Sequence, residues 1–250
     1  MKILVTGTKR GLGKYLREHF DSDRLDRGIS IPTCEYDAVI HCAVSTKKDV
    51  DQSNVIDYFS DNVSFTEKLL SISCKKFIYV STVDVYPHSS RLWKEDDELV
   101  FNTGEPQLSM YGVSKFVSES IVSRVSSNFL SLRCAVLLNK YSRINTITKI
   151  PDGVSCELFV SGDSEYNFVL VSDLAKFIEI AISKDLRGIY NVASSDYMRL
   201  DTLSAALGSD VSFSEYVYKL GKADNHKICG IAPFFDKSTL EAVRQFSQET

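Results

Sequence analysis

The sequence has no long apolar run, no cluster of positive charge and no closely spaced pair of cysteines. No apolar stretch approaches the roughly 20 residues that a membrane-spanning helix needs, so we expect no membrane partner. The apolar run at the N-terminus, Ile3–Val5, is too short for a secretory signal. Lys and Arg are scattered and the net charge is -4, which disfavours a nucleic-acid partner.

Clustered metal ligands are lacking as well. The six cysteines lie far apart without a C-x-x-C pair, and the four histidines have no metal-ligand spacing with Cys, Asp or Glu, so we predict no metal site. Cys42 and Cys134 fall in apolar, strand-like runs. We therefore interpret the thiols as reduced and mostly buried, and we expect a cytoplasmic protein.

Short apolar strands alternate with amphipathic helices along the 250 residues, of which 44% are hydrophobic and 25% charged. This alternation predicts an α/β fold with right-handed crossovers and a mostly parallel, doubly wound sheet. The predicted strands are Lys2–Thr6, one ending near Arg24–Arg27, Asp37–Ala43, Phe77–Ser81, Phe129–Leu138, Glu157–Val160, Asn167–Val171 and Gly188–Val192. The predicted helices are Leu12–Phe20, one within Val55–Ser73, Tyr111–Ser126, Asp173–Ser183, Leu200–Leu207 and Lys237–Gln248.

A glycine-rich loop, TGTKRGLG at residues 6–13, joins the first predicted strand to the first predicted helix. Gly7 permits a tight turn, Gly11 lets the backbone approach a pyrophosphate, and Gly13 lets the helix pack closely on the strand. The free N–H groups at the helix start then face the anion. We predict that the loop binds a dinucleotide through Gly7, Thr8, Lys9, Arg10, Gly11, Leu12 and Gly13.

Tyr111 and Lys115 form a Y-x-x-x-K pattern on a predicted helix. Residues four apart lie on one helix face, so the ammonium should lie beside the phenol and lower its pKa. Tyr111 could then exchange a proton with a substrate hydroxyl or carbonyl group.

Together these motifs resemble the short-chain dehydrogenase/reductase family, in which TGxxxGxG and Y-x-x-x-K recur. The segments FVLVSDLA (168–175) and YNVA (190–193) are similar to its extended branch, the NAD-dependent epimerases and dehydratases of sugar nucleotides. The resemblance implies a Rossmann domain at 1–138, with contributions from 163–193, and a small substrate-binding lobe at 139–250. Within STVDVYP (81–87) it implies that Thr82 is catalytic, with Ser81 as the alternative.

The resemblance also implies a cofactor. A basic residue at the position of Arg10 is typical of NADP-binding relatives, and a guanidinium suits a 2′-phosphate. Asp26 favours NAD and Arg27 favours NADP, so we predict NADP and leave NAD open. The other implied cofactor contacts are Cys42, Ala43, Val44, Asn62, Ser81, Tyr111, Lys115, Cys134, Ala135 and Val136.

Between the first helix and the strand at 37–43, only 16 residues (21–36) replace what relatives use for two strands and a helix. We predict that the third strand and the helix after it are missing or reduced. That region of relatives contacts adenine, so adenine binding here must use other residues.

The expected reaction is reduction of a keto-sugar nucleotide, with Thr82, Tyr111 and Lys115 as catalytic residues. Val83 stands where sugar dehydratases carry a proton-transferring acid, which disfavours dehydration. Asp84 could serve as an acid/base, so an epimerase is the alternative, and a non-catalytic NADP-binding relative is a second one. By analogy with the family we expect a homodimer formed through the helices at 62–70 and 111–126. Arg143, Asn145 and Lys149 could meet the substrate diphosphate, although an ordinary polar loop is as good an interpretation.

Overall fold

The computed structural model describes residues 1–26, 28–45, 49–101, 108–141, 150, 155–219 and 221–249. Its strands are β1 (Ile3–Thr6), β2 (Asp23–Leu25), β3 (Tyr36–His41), β4 (Cys74–Thr82), β5 (Leu92–Trp93), β6 (Phe129–Cys134), β7 (Val136–Leu138), β8 (Cys156–Leu158), β9 (Glu165–Tyr166), β10 (Phe168–Leu170), β11 (Gly188–Val192), β12 (Met198–Arg199), β13 (Val211–Phe213) and β14 (Lys222–Ala223). Its helices are α1 (Gly11–His19), α2 (Val55–Phe59), α3 (Phe65–Leu69), α4 (Met110–Val125), α5 (Val171–Ser183), α6 (Leu200–Leu207), α7 (His226–Cys229) and α8 (Thr239–Glu249). A π-helical segment, Ser60–Ser64, joins α2 to α3, and short 3-10 turns cover Val83–Val85 and Pro233–Phe235.

Six strands form one parallel sheet in the order β2–β1–β3–β4–β6–β11. Alternate residues of each strand face opposite sides, and both sides are covered by helices. Ile3 and Val5 pack in the cluster that contains α1 and α5, whereas Leu4 packs in the cluster that contains α3 and α4. The predicted doubly wound Rossmann fold is confirmed.

The edge strand β2 has three residues, and the described residues between β2 and β3 contain neither helix nor strand. The third strand that would extend the sheet beyond β2 is therefore absent from the described chain, as its length predicts. Tyr36, the first residue of β3, donates a hydrogen bond from its hydroxyl to Asp23 at the start of β2.

A second apolar core lies outside the main sheet. It contains Leu138 at the end of β7, Phe168 of β10, Leu203 of α6 and Phe246 of α8. The predicted single strand Phe129–Leu138 is wrong, because β6 ends at Cys134 and β7 pairs instead with β10. The lobe boundary at residue 138 stays a prediction.

Candidate active site

The glycine loop is fixed by close packing between the end of β1 and the start of α1. Gly7 has φ +72°, a left-handed conformation that favours glycine. A Cβ on Gly13 would lie 2.3 Å from the carbonyl oxygen of Gly7, so any side chain there would push α1 off the loop. The backbone at the start of α1 can therefore come close to a ligand.

A cleft of about 810 Å³ opens at the carboxyl ends of β1, β3, β4 and β6, where ligands bind in open α/β sheets. Predicted residues on its walls are Gly7, Lys9, Arg10, Gly11, Leu12, Gly13, Asp26, Cys42, Ala43, Val44, Ser81, Thr82, Tyr111, Lys115, Cys134 and Ala135. Val80 and Leu137 also line the cleft and were missed. Both are apolar, so nothing in the sequence distinguished these two cleft residues from ordinary core residues.

Some predicted site residues lie elsewhere. Thr8, Asn62, Asp84 and Val136 are not among the residues that line the cleft, and Arg27 lies outside the described residues. Arg143, Asn145 and Lys149, which we suggested for the substrate diphosphate, lie outside them too.

Asn62 is buried in the π-helical segment and connects two other parts of the chain. Its Oδ1 accepts from the backbone N–H of Ser45, and its Nδ2 donates to the carbonyl of Ser45 and to the hydroxyl of Ser114 on α4. Asn62 thus holds the loop after β3 against the helix that carries Tyr111 and Lys115, and its effect on the cleft is indirect.

Lys115 is buried, and its ammonium donates a hydrogen bond to the carbonyl oxygen of Val80 at 2.6 Å. Its Nζ lies 4.8 Å from the ring centroid of Tyr79 and 5.9 Å from that of Tyr111. Burial lowers the pKa of Lys115 to about 8, partly opposed by the nearby groups of Cys42, Cys134 and Glu119. The helix spacing therefore brings Tyr111 and Lys115 together as predicted.

The pKa of Tyr111 differs from the expectation. Burial, followed by the charge of Asp84, raises the pKa of Tyr111 well above the usual value for a tyrosine. The expected lowering by Lys115 is wrong for the protein alone, because removal of the phenol from water is the largest influence on its pKa and raises it. Tyr111 is thus a phenol at neutral pH, and a phenol can give a proton but cannot accept one.

Thr82 and Asp84 form the turn that follows β4. The Thr82 hydroxyl accepts a hydrogen bond from the backbone N–H of Asp84 at 3.2 Å and begins the 3-10 turn. Burial raises the pKa of Asp84 to about 6, and a hydrogen bond with the Thr82 side chain partly lowers it. A Cβ on Gly112 would lie 2.3 Å from the Asp84 carbonyl oxygen, so glycine after Tyr111 lets α4 press against this turn.

His41 has a structural position behind the cleft. Thr66 donates to the carbonyl of Asn62, so its oxygen accepts from His41 Nε2, at 2.9 Å. His41 Nδ1 then accepts from the Thr6 hydroxyl at 2.8 Å. The Thr6 oxygen also accepts from the backbone N–H groups of Cys42 and Ala43. His41 thus connects Thr6 to Thr66 behind the cleft, and Thr6 in turn orients the loop after β3.

Two of the matched motifs, STVDVYP and YNVA, meet in a second buried network. Arg133 of β6 donates to the hydroxyl of Tyr86 at 2.8 Å and to the carboxylate of Glu119 on α4. The Tyr86 hydroxyl donates to the Asn191 side chain of β11 at 2.7 Å. The network ties the segment after β4 to α4 and to the last strand of the sheet.

The NAD dependent epimerase/dehydratase family has a sequence model that matches residues 20–193. The chain belongs to this family. The prediction of an NAD(P)-dependent enzyme of the extended short-chain dehydrogenase/reductase type is confirmed. No curated protein matches the chain in sequence.

Solved structures of this family's fold cover the whole chain. The dTDP-4-dehydrorhamnose reductase from Bacillus anthracis, in complex with NADP, has a TM-score of 0.79 and 19% identity, and 100% of each chain is covered. The same enzyme from Clostridium acetobutylicum has a TM-score of 0.78 and 17% identity, covering 100% of this chain and 99% of that one. The UDP-glucuronic acid 4-epimerase from Bacillus cereus, with UDP-glucuronic acid and NAD, has a TM-score of 0.73 and 19% identity, with the same coverage. At these identities the likeness shows the fold.

The cleft of this family member suits a dinucleotide. The side chains of Lys9 and Arg10 are exposed at its rim, and Asp26 follows β2 with a carboxylate oxygen 3.5 Å from the Thr8 hydroxyl. The N-cap position of α1 has no side-chain hydrogen bond to the helix, which leaves its first N–H groups for a ligand. One exception is Gly11, whose N–H donates to the carbonyl oxygen of Tyr141 at 2.9 Å.

The described ranges contain neither a cluster of metal ligands nor a membrane-spanning helix. No group of three His, Cys, Asp or Glu in them could hold a metal ion. In the same ranges, no helix combines the length and apolar character required to cross a membrane.

Proposed function

We propose that this family member is an NADPH-dependent reductase of a keto-sugar nucleotide. The observation that carries the proposal is that Tyr111, Lys115 and Thr82 line the same cleft as the glycine loop. The Tyr111 phenol is protonated at neutral pH and so carries the proton that the reduction of a ketone requires. Two of the structures with similar folds are dTDP-4-dehydrorhamnose reductases.

When bound, NADPH supplies the hydride that reduces the carbonyl carbon. The protein's own residues supply the proton and the orientation. Tyr111 donates its phenolic proton to the carbonyl oxygen as negative charge develops there, and the Thr82 hydroxyl holds the same oxygen by a hydrogen bond. The Lys115 ammonium, positioned by the carbonyl of Val80, stabilises the resulting phenolate.

The choice of NADPH over NADH rests on charge at the rim of the cleft. Lys9 and Arg10 are exposed cations next to the end of β2, where a 2′-phosphate would lie. Asp26 at the same place opposes this, because its carboxylate suits a ribose hydroxyl. Two cations against one carboxylate favour NADPH.

A sugar-nucleotide epimerase is the second candidate, and Asp84 favours it. Its carboxyl has a pKa of about 6 and so can both give and take a proton near neutral pH. Burial, followed by the charge of Asp84, raises the pKa of Tyr166 and Tyr218, two stacked rings of the lobe. The carboxyl of Asp84 is therefore near enough to these two rings of the lobe for its charge to act on them.

The assembly and compartment are also proposals. A homodimer would form through the helices at 62–70 and 111–126, and the 62% exposed Val125 on α4 supports this. The six cysteines are all free thiols, which supports the cytoplasm.

The test compares Tyr111→Phe with Tyr190→Phe, a matched loss of a hydroxyl on β11. Oxidation of NADPH by dTDP- and UDP-linked 4-keto sugars would be followed by absorbance. We expect Tyr111→Phe to lower kcat by about 100-fold or more and Tyr190→Phe to keep near wild-type turnover. Unchanged turnover in Tyr111→Phe would refute the catalytic assignment. An epimerase would instead change the configuration of the substrate without net consumption of NADPH. Loss of that activity in Asp84→Asn would favour the second candidate.

A further inference from the structure

The buried ammonium of Lys115 forms no ion pair with a carboxylate in the part of the chain that the structure describes. Glu119, one turn further along α4, is already paired with Arg133. The carbonyl oxygen of Val80 accepts a hydrogen bond from the ammonium but carries no charge. A buried charge with a single neutral partner is costly, so we expect a further stabilising contact.

The face of the Tyr79 ring supplies this contact. Nζ of Lys115 lies over the ring, 4.8 Å from its centroid, and is 5.9 Å from the centroid of Tyr111. A cation within about 6 Å of a ring centroid is attracted by the negative face of the ring, more strongly where water is excluded. Tyr79 is 2% exposed and Lys115 is 3% exposed, so the contact is removed from water.

The position of the Tyr79 ring is fixed by its strand. β4 lies inside the parallel sheet, where Tyr79 is in register with His41 of β3 and Ser131 of β6. The ring centroids of Tyr79 and His41 are 5.5 Å apart. His41 is itself held by the hydroxyls of Thr6 and Thr66. The ring therefore has little freedom to move away from the ammonium.

Tyr79 acts on Lys115 through its ring and not as an anion. Burial raises the pKa of the Tyr79 phenol, so its hydroxyl keeps its proton while Lys115 titrates. An attraction between opposite charges on the two side chains is thereby excluded. The contact depends on the electron-rich face of the ring, which phenylalanine shares and leucine lacks.

Other titratable groups also surround the ammonium. The thiols of Cys42, after β3, and Cys134, at the end of β6, line the same cleft as Lys115. Burial raises the pKa of both thiols, so they stay uncharged while Lys115 titrates. Glu119 and Tyr111 lie on the same helix as Lys115, and the carboxylate of Glu119 already has its partner. Tyr79 can therefore be replaced without adding or removing a charge near the ammonium.

We propose that Tyr79 is a positioning residue, whose ring keeps the Lys115 side chain charged and directed toward Tyr111. Without the ring, the ammonium would rely on the Val80 carbonyl alone and would lose its proton at lower pH. The ring thereby widens the pH range in which Lys115 can stabilise the Tyr111 phenolate. This effect on catalysis rests on the proposed function, whereas the contact between ring and ammonium does not.

The first experiment follows the protonation of Lys115 directly and needs no substrate. The full chain, with its lysines labelled with carbon-13, is titrated by NMR, and the Lys115 signal is assigned by its loss in Lys115→Arg. Tyr79→Leu removes the ring, and Tyr79→Phe removes only the hydroxyl. Phe77→Leu is the matched control, because Phe77 is buried on the same face of the same strand.

We expect the midpoint of the Lys115 titration to fall by about one pH unit in Tyr79→Leu, by about 0.3 unit or less in Tyr79→Phe, and not at all in Phe77→Leu. Pentafluorophenylalanine at position 79 keeps the shape of the ring and withdraws electrons from its face. It should reproduce the shift of Tyr79→Leu, and it replaces that variant if leucine prevents folding. An unchanged midpoint with the fluorinated ring, or an equal shift in Phe77→Leu, overturns the proposal.

The second experiment measures kcat/KM for the reduction against pH, because this quantity reports the titration of groups in the free enzyme. The fall near pH 8 should lie about one unit lower in Tyr79→Leu and should not move in Phe77→Leu. A loss of rate in Tyr79→Leu that is equal at every pH would assign the ring a structural role and overturn the proposal.

The two experiments separate this inference from the proposed function. A wild type that shows the expected NMR shifts but reduces no keto-sugar nucleotide refutes the proposed function alone. An active enzyme in which the Lys115 titration does not respond to the loss of the Tyr79 ring refutes the role of Tyr79 alone.

Discussion

The ammonium of Lys115 and the carbonyl oxygen of Val80 are 2.6 Å apart, at the base of the cleft that both residues line. A main-chain carbonyl fixes the direction of the lysine without neutralising its charge. The positive charge therefore remains available to Tyr111 and to a ligand, and its protonation should control activity.

The first prediction concerns pH and Lys115. Because burial lowers its pKa to about 8, the side chain is charged below that pH and loses its proton above it. We expect kcat/KM for the reduction to fall as pH rises through about 8, and Lys115→Arg to move the fall to higher pH. A pH–rate profile of the two proteins checks this, and a wild-type profile that stays flat across this pH contradicts it.

Asp84 gives a prediction about stability. Its pKa is raised from 3.8 to about 6, so the folded state holds a proton at pH values where the unfolded state has released it. Relative to high pH, the folded state is therefore stabilised by the proton on Asp84. This stabilisation is complete below about pH 4 and is lost as the pH rises through 6. The difference in the free energy of unfolding between Asp84→Asn and wild type should therefore shift by about 2 kcal/mol in favour of the variant when the pH is raised from 4 to 8. Urea denaturation of both proteins at pH 4 and at pH 8 measures this difference. A difference between the two proteins that does not change with pH would show that burial of the charged carboxylate does not destabilise the fold.

Arg10 should decide between the two cofactors. We expect Arg10→Ala to weaken NADPH binding by about tenfold to 100-fold and to change NADH binding little, because only NADPH carries the 2′-phosphate. Arg17→Ala, on the exposed side of the last turn of α1, is the control. Fluorescence titration with both cofactors provides the measurement. Equal losses for NADPH and NADH would assign Arg10 to the pyrophosphate or to the fold.

The hydroxyl of Thr6 should contribute more to the free energy of unfolding than its methyl group does. Thr6→Val removes the acceptor of two backbone N–H groups and one hydrogen-bond partner of His41, at a cost of about 1–3 kcal/mol for each group left unsatisfied. Thr6→Ser keeps the oxygen and should cost about 1 kcal/mol. Denaturant titration compares the variants, and equal destabilisation by both would show that packing dominates.

Most of the fold could be predicted from local pattern. The strands and helices of the main sheet have clear periodicity, and β11 and α6 begin and end at the predicted residues. The two-residue strands β5, β9, β12 and β14 were missed, since their pairing depends on contacts between distant segments. The helix predicted within 55–73 is real but contains a π-helical turn, which buries Asn62.

The site was predictable where motif and geometry coincide, as for Tyr111 and Lys115 on one face of α4. It was not predictable where a property of a residue depends on its surroundings in the fold. The direction of the Tyr111 pKa follows from burial, which the motif does not encode. The hydrogen bond between Gly11 and Tyr141 joins segments 130 residues apart and leaves no trace in either local sequence.

The strand order of the sheet has a consequence for synthesis on the ribosome. β11 pairs with β6, but β7, β8, β9, β10 and α5 lie between them in the chain. While those segments are being made, β6 is an open edge of a nearly finished sheet, with unpaired backbone groups. That interval is when the nascent chain is most exposed to aggregation, and truncation before residue 188 should yield insoluble protein.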